Sequence, residues 1–155
     1  SGSIFMDYRN SADFSDFNTI VYGHHMHDGS MFKSLRGYTK ENDYYKDHKT
    51  LELITPDKKY HLEIISSYIT PATSDAYKYS FINEAEKQAF IDYTVKNSKI
   101  STGVTATTND KIVTLSTCAY DYDEARYVVV CKAVPWTKKE IKAGEKLQAK
   151  IDKQK

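Results

Sequence analysis

Residues 111–132, KIVTLSTCAYDYDEARYVVVCK, decide how the chain is read. Ile112-Val113-Thr114-Leu115 is a β-branched apolar run that ends at Cys118. A short acidic, tyrosine-rich stretch follows, from Tyr120 to Glu124. Arg126 then opens a second run, Tyr127-Val128-Val129-Val130. Two such runs joined by a polar loop predict an antiparallel strand pair. That register puts Cys118 at the end of one strand and Arg126 at the start of the next, on one rim of a sheet. A thiol, a fixed cation and a histidine from elsewhere in the chain make a nucleophilic site.

The second cysteine, Cys131, does not pair with the first on this reading. It lies five residues further along the second strand, roughly 16 Å away at about 3.3 Å per residue. A disulfide needs Cα atoms within roughly 7 Å. Cys131, inside an apolar run, is expected to be a buried small hydrophobe.

Working outward, strands are expected over 3–7, 18–22, 50–55, 59–70, 111–117 and 126–134, with a Pro56-Asp57-Lys58 turn joining the third to the fourth and Leu62, Ile64 and Ser66 alternating with Glu63 and Ile65 along the fourth. A short helix is expected over 29–38, with Met31, Phe32 and Leu35 at core spacing. Asn83 reads as an N-cap, with Glu84 and Glu86 in the first turn of a helix that reaches Lys96. Its apolar stripe is expected at Ala85, Ala89, Phe90 and Tyr93. Residues 71–82 read as a loop, and the lysine-rich stretch 137–155 as a frayed helix or tail with a solvated face.

The 155 residues suffice for one domain with a real core, and no linker divides them. With 22 basic and 21 acidic residues the formal net charge is +1, which gives no argument for nucleic acid. The 13 tyrosines and six phenylalanines suit half-buried strands. No stretch of these residues approaches the roughly 18–20 apolar residues of a membrane span, and none reads as a signal peptide.

Three histidines, His24, His25 and His27, follow the strand that ends at Gly23. A metal site, a polar loop and a catalytic base or acid are the three readings of that cluster. No cysteine or glutamate stands nearby at ligand spacing.

The pentapeptide Thr114-Leu115-Ser116-Thr117-Cys118 resembles the TLxTC signature of sortases, the cysteine transpeptidases of Gram-positive cell surfaces. Arg126 stands where that family keeps its arginine, and Asn18-Thr19-Ile20-Val21-Tyr22-Gly23-His24 resembles its strand ending in Gly-His. Tyr22-Gly23-His24-His25-Met26, with Asp28-Gly29-Ser30-Met31-Phe32 after it, is most similar to class B, as is Gly2 to Asn10. The resemblance runs from about residue 2 to about residue 135.

The resemblance implies a mostly β fold with peripheral helices. It is an eight-stranded barrel, of which six strands are identifiable here, with a helix in the long connection before the catalytic strand. The family's first two strands and its membrane anchor are then expected to precede residue 2. Residues 1–155 would form a single catalytic domain. The implied catalytic residues are Cys118 as nucleophile, His24 rather than His25 as proton donor and acceptor, and Arg126. Ser116 and Thr117 would shape the strand end and the substrate groove. No metal or organic cofactor is implied. The implied partners are the sorting-signal peptide of a surface protein and an amine of peptidoglycan or its lipid-linked precursor. The setting is the extracellular face of a Gram-positive membrane, with membrane contact through the anchor alone.

Three other readings stand beside this one. A pilus-polymerising sortase uses a lysine side chain as acceptor, and the class B helix argues against it. A hydrolytic cysteine peptidase uses water, and nothing in the sequence separates it. A secreted binding module leaves the Gly-His, TLSTC and arginine combination unexplained.

Overall fold

The computed structural model describes residues 4–23, 49–118 and 125–154, with side chains from 6–23, 49–117 and 125–154. The histidine cluster, the helix expected over 29–38 and the Tyr120–Glu124 loop lie outside the described residues. Six strands form one sheet: β1 (Ile4–Met6), β2 (Asn18–Gly23), β3 (Thr50–Ile54), β4 (Lys59–Pro71), β5 (Lys111–Cys118) and β6 (Ala125–Pro135). Their order is β1-β2-β5-β6-β4-β3. All pairs are antiparallel except β2 with β5, which run parallel. Every expected strand is present, and the fold is mostly β with peripheral helices.

The apolar runs of β5 and β6 are continuous because both strands are buried on both faces. Ile112 to Thr117 and Tyr127 to Cys131 are all buried. One face gathers Val21, Leu62, Ile64, Val113, Leu115 and Val129 beneath Phe14 and Ile100. The other gathers Ile20, Ile65, Tyr68, Ile112, Val128 and Val130. Over it lie Phe90 of α1 (Glu84–Asn97) and Ala76 and Tyr77 of a 3₁₀ turn, η1 (Asp75–Tyr77). Cys131 is a free, fully buried cysteine, as the strand arithmetic requires. Burial pushes its thiol well above the ordinary cysteine range.

Three features depart from the sequence reading. The alternation of β4 breaks at a bulge between Ile64 and Ser66. An extra residue there turns the strand, and Ile64 to Tyr68 are buried without a gap. The 71–82 connection holds η1, which Ser74 caps by accepting from the Ala76 N–H. Helix α1 starts as expected, with the Asn83 side chain accepting from the Glu86 N–H at 2.9 Å. Its buried face, however, is Phe90, Ile91 and Thr94, while Ala85 and Ala89 are exposed. Ser66 Oγ donates to Thr94 O at 2.6 Å and draws the last half of the helix onto β4. The two alanines supply helix propensity rather than packing.

The lysine-rich stretch is an ordered helix, α2 (Lys138–Lys153), opened by a capping box between Thr137 and Glu140. The T-x-x-E spacing that makes this box is legible in the sequence. Glu140 also meets His61 Nε2, and His61 Nδ1 meets Glu52 Oε1 at 2.8 Å. Trp136 stacks on His61 and donates through Nε1 to Glu52 Oε2 at 3.0 Å.

This latch titrates. The hydrogen bond with Glu52 comes first in raising the pKa of His61, and that with Glu140 adds to it. The backbone hydrogen bond of Thr137 and then His61 lower that of Glu140. His61 therefore stabilises the fold fully below its unfolded value, near 6.5, and the gain is lost as pH rises through its raised folded value. Glu140 contributes above its own unfolded value, and its gain is lost only as pH falls through the depressed folded value. Solvent screening keeps the contribution of this exposed pair small. The wild-type melting temperature is expected to fall by a few degrees between pH 6 and 8.5 relative to His61→Ala, measured by circular dichroism. Parallel curves for the two proteins would remove the latch from the account.

Candidate active site

The backbone register sets the site. In the β5–β6 pair Cys118 lies directly opposite Arg126, and Thr117 opposite Tyr127. In the β2–β5 pair Gly23 lies opposite Thr117. Two strands thus end and a third begins at one rim of the sheet, with Cys118 last on β5, Gly23, the residue before His24, last on β2, and Ala125 first on β6. Arg126 is half-buried. Among the described residues one of its five donors is engaged, Nη1 donating to Ala125 O at 3.1 Å. His24, His25 and His27 lie outside the described residues.

Beneath this edge runs a chain of polar contacts. Ser116 is fully buried, and its hydroxyl shares a hydrogen bond with Tyr77 Oη at 2.7 Å. Tyr77 stacks on Tyr22, with ring centroids 6.0 Å apart and planes 3° from parallel. Tyr22 Oη donates to Asp7 Oδ2 at 2.9 Å. Arg9 grips the same carboxylate through Nε at 2.9 Å and Nη2 at 2.8 Å, and lies over the Tyr79 ring at 4.3 Å. The Arg9 side-chain hydrogen bond is the first cause that brings Asp7 down to about 2. Burial, and then the hydrogen bond to the Asp7 anion, push the Tyr22 phenol well above its usual range. Asp7 therefore stays an acceptor and Tyr22 a neutral donor across working pH.

Asn18 holds η1 against the sheet. It is fully buried, accepts from Thr114 Oγ1 at 2.7 Å, and donates through Nδ2 to Lys78 O at 2.8 Å. Tyr77 is thereby held over Ser116. Thr117 is 2 % exposed. A cleft of about 600 Å³, lined by Arg9, Thr73, Asp75, Tyr77, Lys78 and Tyr79 among others, opens above this wall. A second cavity of about 360 Å³, between α1 and residues 98–106, is remote from the Cys118–Arg126 edge and adds nothing to it.

Sequence reasoning singled out Cys118, Arg126, Ser116 and Thr117, and the structure brings them to one edge. It missed Asp7, Arg9, Asn18 and Tyr77. The one signal available for them was a polar Asn18 heading an apolar strand. Tyr77 carried none, because its role depends on the path of the long connection after β4.

Residues 1–134 match the family model described as Sortase domain. The chain is 41% identical over 135 residues to sortase B of Staphylococcus aureus, a match covering 86% of this chain and 55% of that protein. The chain spans about half the length of the curated relatives it matches. A crystal structure of Staphylococcus aureus sortase B superposes with a TM-score of 0.79 at 39% identity, over 87% of this chain and 64% of that one. A crystal structure of sortase B complexed with triglycine superposes with a TM-score of 0.77 at 40% identity, over 87% and 64%.

Proposed function

The chain belongs to the sortase family, with sortase B proteins among its relatives, and on that footing we propose that it is a cysteine transpeptidase. It cleaves a C-terminal sorting signal at a Thr-Asn or Thr-Gly type bond and transfers the surface protein to a cell-wall amine. The observation that carries this reading is the register that sets Cys118 opposite Arg126 at the end of β5. Directly opposite residues of an antiparallel pair share a face of the sheet.

The chemistry follows from the residue types. The Cys118 thiolate adds to the threonine carbonyl carbon, and the carbonyl π electrons move to its oxygen. Arg126 keeps its proton at any working pH, so it acts electrostatically, donating N–H groups to that oxyanion. The oxyanion collapses, the C–N bond breaks, and His24 gives its proton to the departing amine. A thioester remains. The acceptor amine then attacks the thioester carbon, His24 takes up its proton, and the thiolate leaves as the new amide forms. Thr117 and Ser116 shape the strand end, Ser116 by steadying Tyr77 in the groove wall. The setting is the outer face of a Gram-positive membrane. Among the described residues no helix is long and apolar enough to cross a bilayer.

The test is a peptide library carrying Thr-Asn and Thr-Gly bonds, incubated with the purified protein and triglycine. A triglycine adduct of the N-terminal fragment is the expected product, at the expense of the hydrolysed acid. Cleavage with no adduct at any triglycine concentration would convert the assignment to a hydrolytic peptidase. No cleavage by a folded protein would remove it.

A further inference from the structure

Helix α2 presents a face that neither the sheet nor the cysteine chemistry uses, and it lies beyond the residues that match the family model. At 3.6 residues per turn, Lys138, Lys139, Lys142, Lys146, Lys150 and Lys153 fall within an arc of roughly 120°. Glu140, Glu145 and Asp152 stand outside that arc. All six lysines are exposed. Among the described residues none has a carboxylate within ion-pairing distance. The helix meets the body from the other side, through Glu140 on His61 and Gly144 beside Trp136. The lysines therefore point away from the sheet. Charge is segregated along the chain as well: residues 138–155 hold seven of the 22 basic residues and three of the 21 acidic ones. The residues before them carry 15 and 18.

We propose that the lysine face of α2 docks on an anionic phospholipid surface. The shape of the array selects that partner. Six ammonium groups spread over the convex side of a rod about 24 Å long cannot converge on one phosphate. They match a plane of charges laid along the rod. The arc holds no aromatic side chain to stack on a base and no arginine fork, which single-stranded nucleic acid calls on. Lysine is a flexible, hydrated point charge and suits headgroups that are themselves mobile. Docking by this face also leaves the chemistry free. Helix α2 follows the Pro135 end of β6, while Arg126 stands at the other end, about 30 Å away. The Cys118–Arg126 edge then stands clear of the bilayer. The proposal rests on charge placement alone and does not depend on the transpeptidase reading.

Co-sedimentation of the purified chain tests it, with vesicles of phosphatidylcholine alone or mixed with phosphatidylglycerol. Binding to the mixed vesicles at low salt is expected to exceed binding to neutral ones at least tenfold and to vanish in about 0.5 M NaCl. Lys142→Gln, Lys146→Gln and Lys150→Gln combined should lower it about a hundredfold, at about fivefold for each lysine. Glutamine keeps the helix, which far-ultraviolet circular dichroism verifies. The three corresponding Lys→Arg changes should retain binding. Leu147→Gln with Ile151→Gln should too, because those side chains lie outside the lysine arc. Equal binding to neutral vesicles overturns the proposal, as does undiminished binding of the triple glutamine variant. Loss through Leu147 and Ile151 overturns it by showing apolar insertion. Capture by soluble polyphosphate without vesicle binding overturns it by showing a different polyanion.

Discussion

Cys118→Ala is expected to lower the rate of sorting-peptide cleavage by roughly 10⁴–10⁶-fold, the scale on which a nucleophile's removal acts in comparable acyl-transfer sites. Cys131→Ala is expected to leave that rate within a few-fold. The two cysteines occupy different places in the sheet. Cys118 ends a strand opposite Arg126, and an adjacent cation favours the thiolate. Cys131 sits in the core, opposite Val113 and Ile64, where no charge offsets the cost of forming an anion. Its replacement should instead cost about 1 kcal/mol of stability, the scale of a small deletion in a packed core. Steady-state cleavage and urea unfolding of both variants check the pair of expectations. Equal loss of turnover in both, with folding intact, would put the nucleophile elsewhere.

Arg126→Lys is expected to lower kcat/KM by about 100- to 1,000-fold, or roughly 2.7–4 kcal/mol of transition-state stabilisation, as when one oxyanion donor is lost. The argument turns on shape rather than charge. A guanidinium offers a rigid planar fork that can hold a carbonyl oxygen and follow it as it becomes an oxyanion. An ammonium is a mobile point charge at the end of a flexible stem. Among the described residues the fork at position 126 is engaged through Nη1 on Ala125 O. The same variant should keep its fold and its Cys118 alkylation rate by a small reagent. A kcat/KM within a few-fold of wild type would show that charge suffices.

The strands and the Cys118–Arg126 opposition were legible because β-branched runs and turn residues are local signals. The core assignment of Cys131 followed from strand arithmetic. What escaped the sequence was non-local. The break in β4 alternation at Ile64/Ser66 depends on α1 and η1 covering the second face of the sheet. The burial of Ile91 and Thr94 beside the expected Phe90, with the alanines exposed, depends on Ser66 reaching the Thr94 carbonyl. The linkage from Ser116 through Tyr77 and Tyr22 to Asp7 joins four separate stretches of chain. Residues 137–155 read as a frayed helix or tail with a solvated face; the helix and its solvated face are present, and the Thr137-Lys138-Lys139-Glu140 capping-box spacing is what orders its start.

The parallel pairing of β2 with β5 has a kinetic side. The β5–β6 and β3–β4 pairs join neighbours in sequence and close small loops. Asn18 and Ile112, in contrast, are about ninety residues apart, and such contacts give their reward only after a long loop has been closed. Until residues 111–118 arrive, β2 has β1 on one side and an open edge of Thr19-Ile20-Val21 on the other. An open edge of that composition is a template for pairing with other chains. Folding is therefore expected to be slow and concentration-sensitive, and fragments that stop short of β5 to aggregate rather than remain as inactive soluble protein.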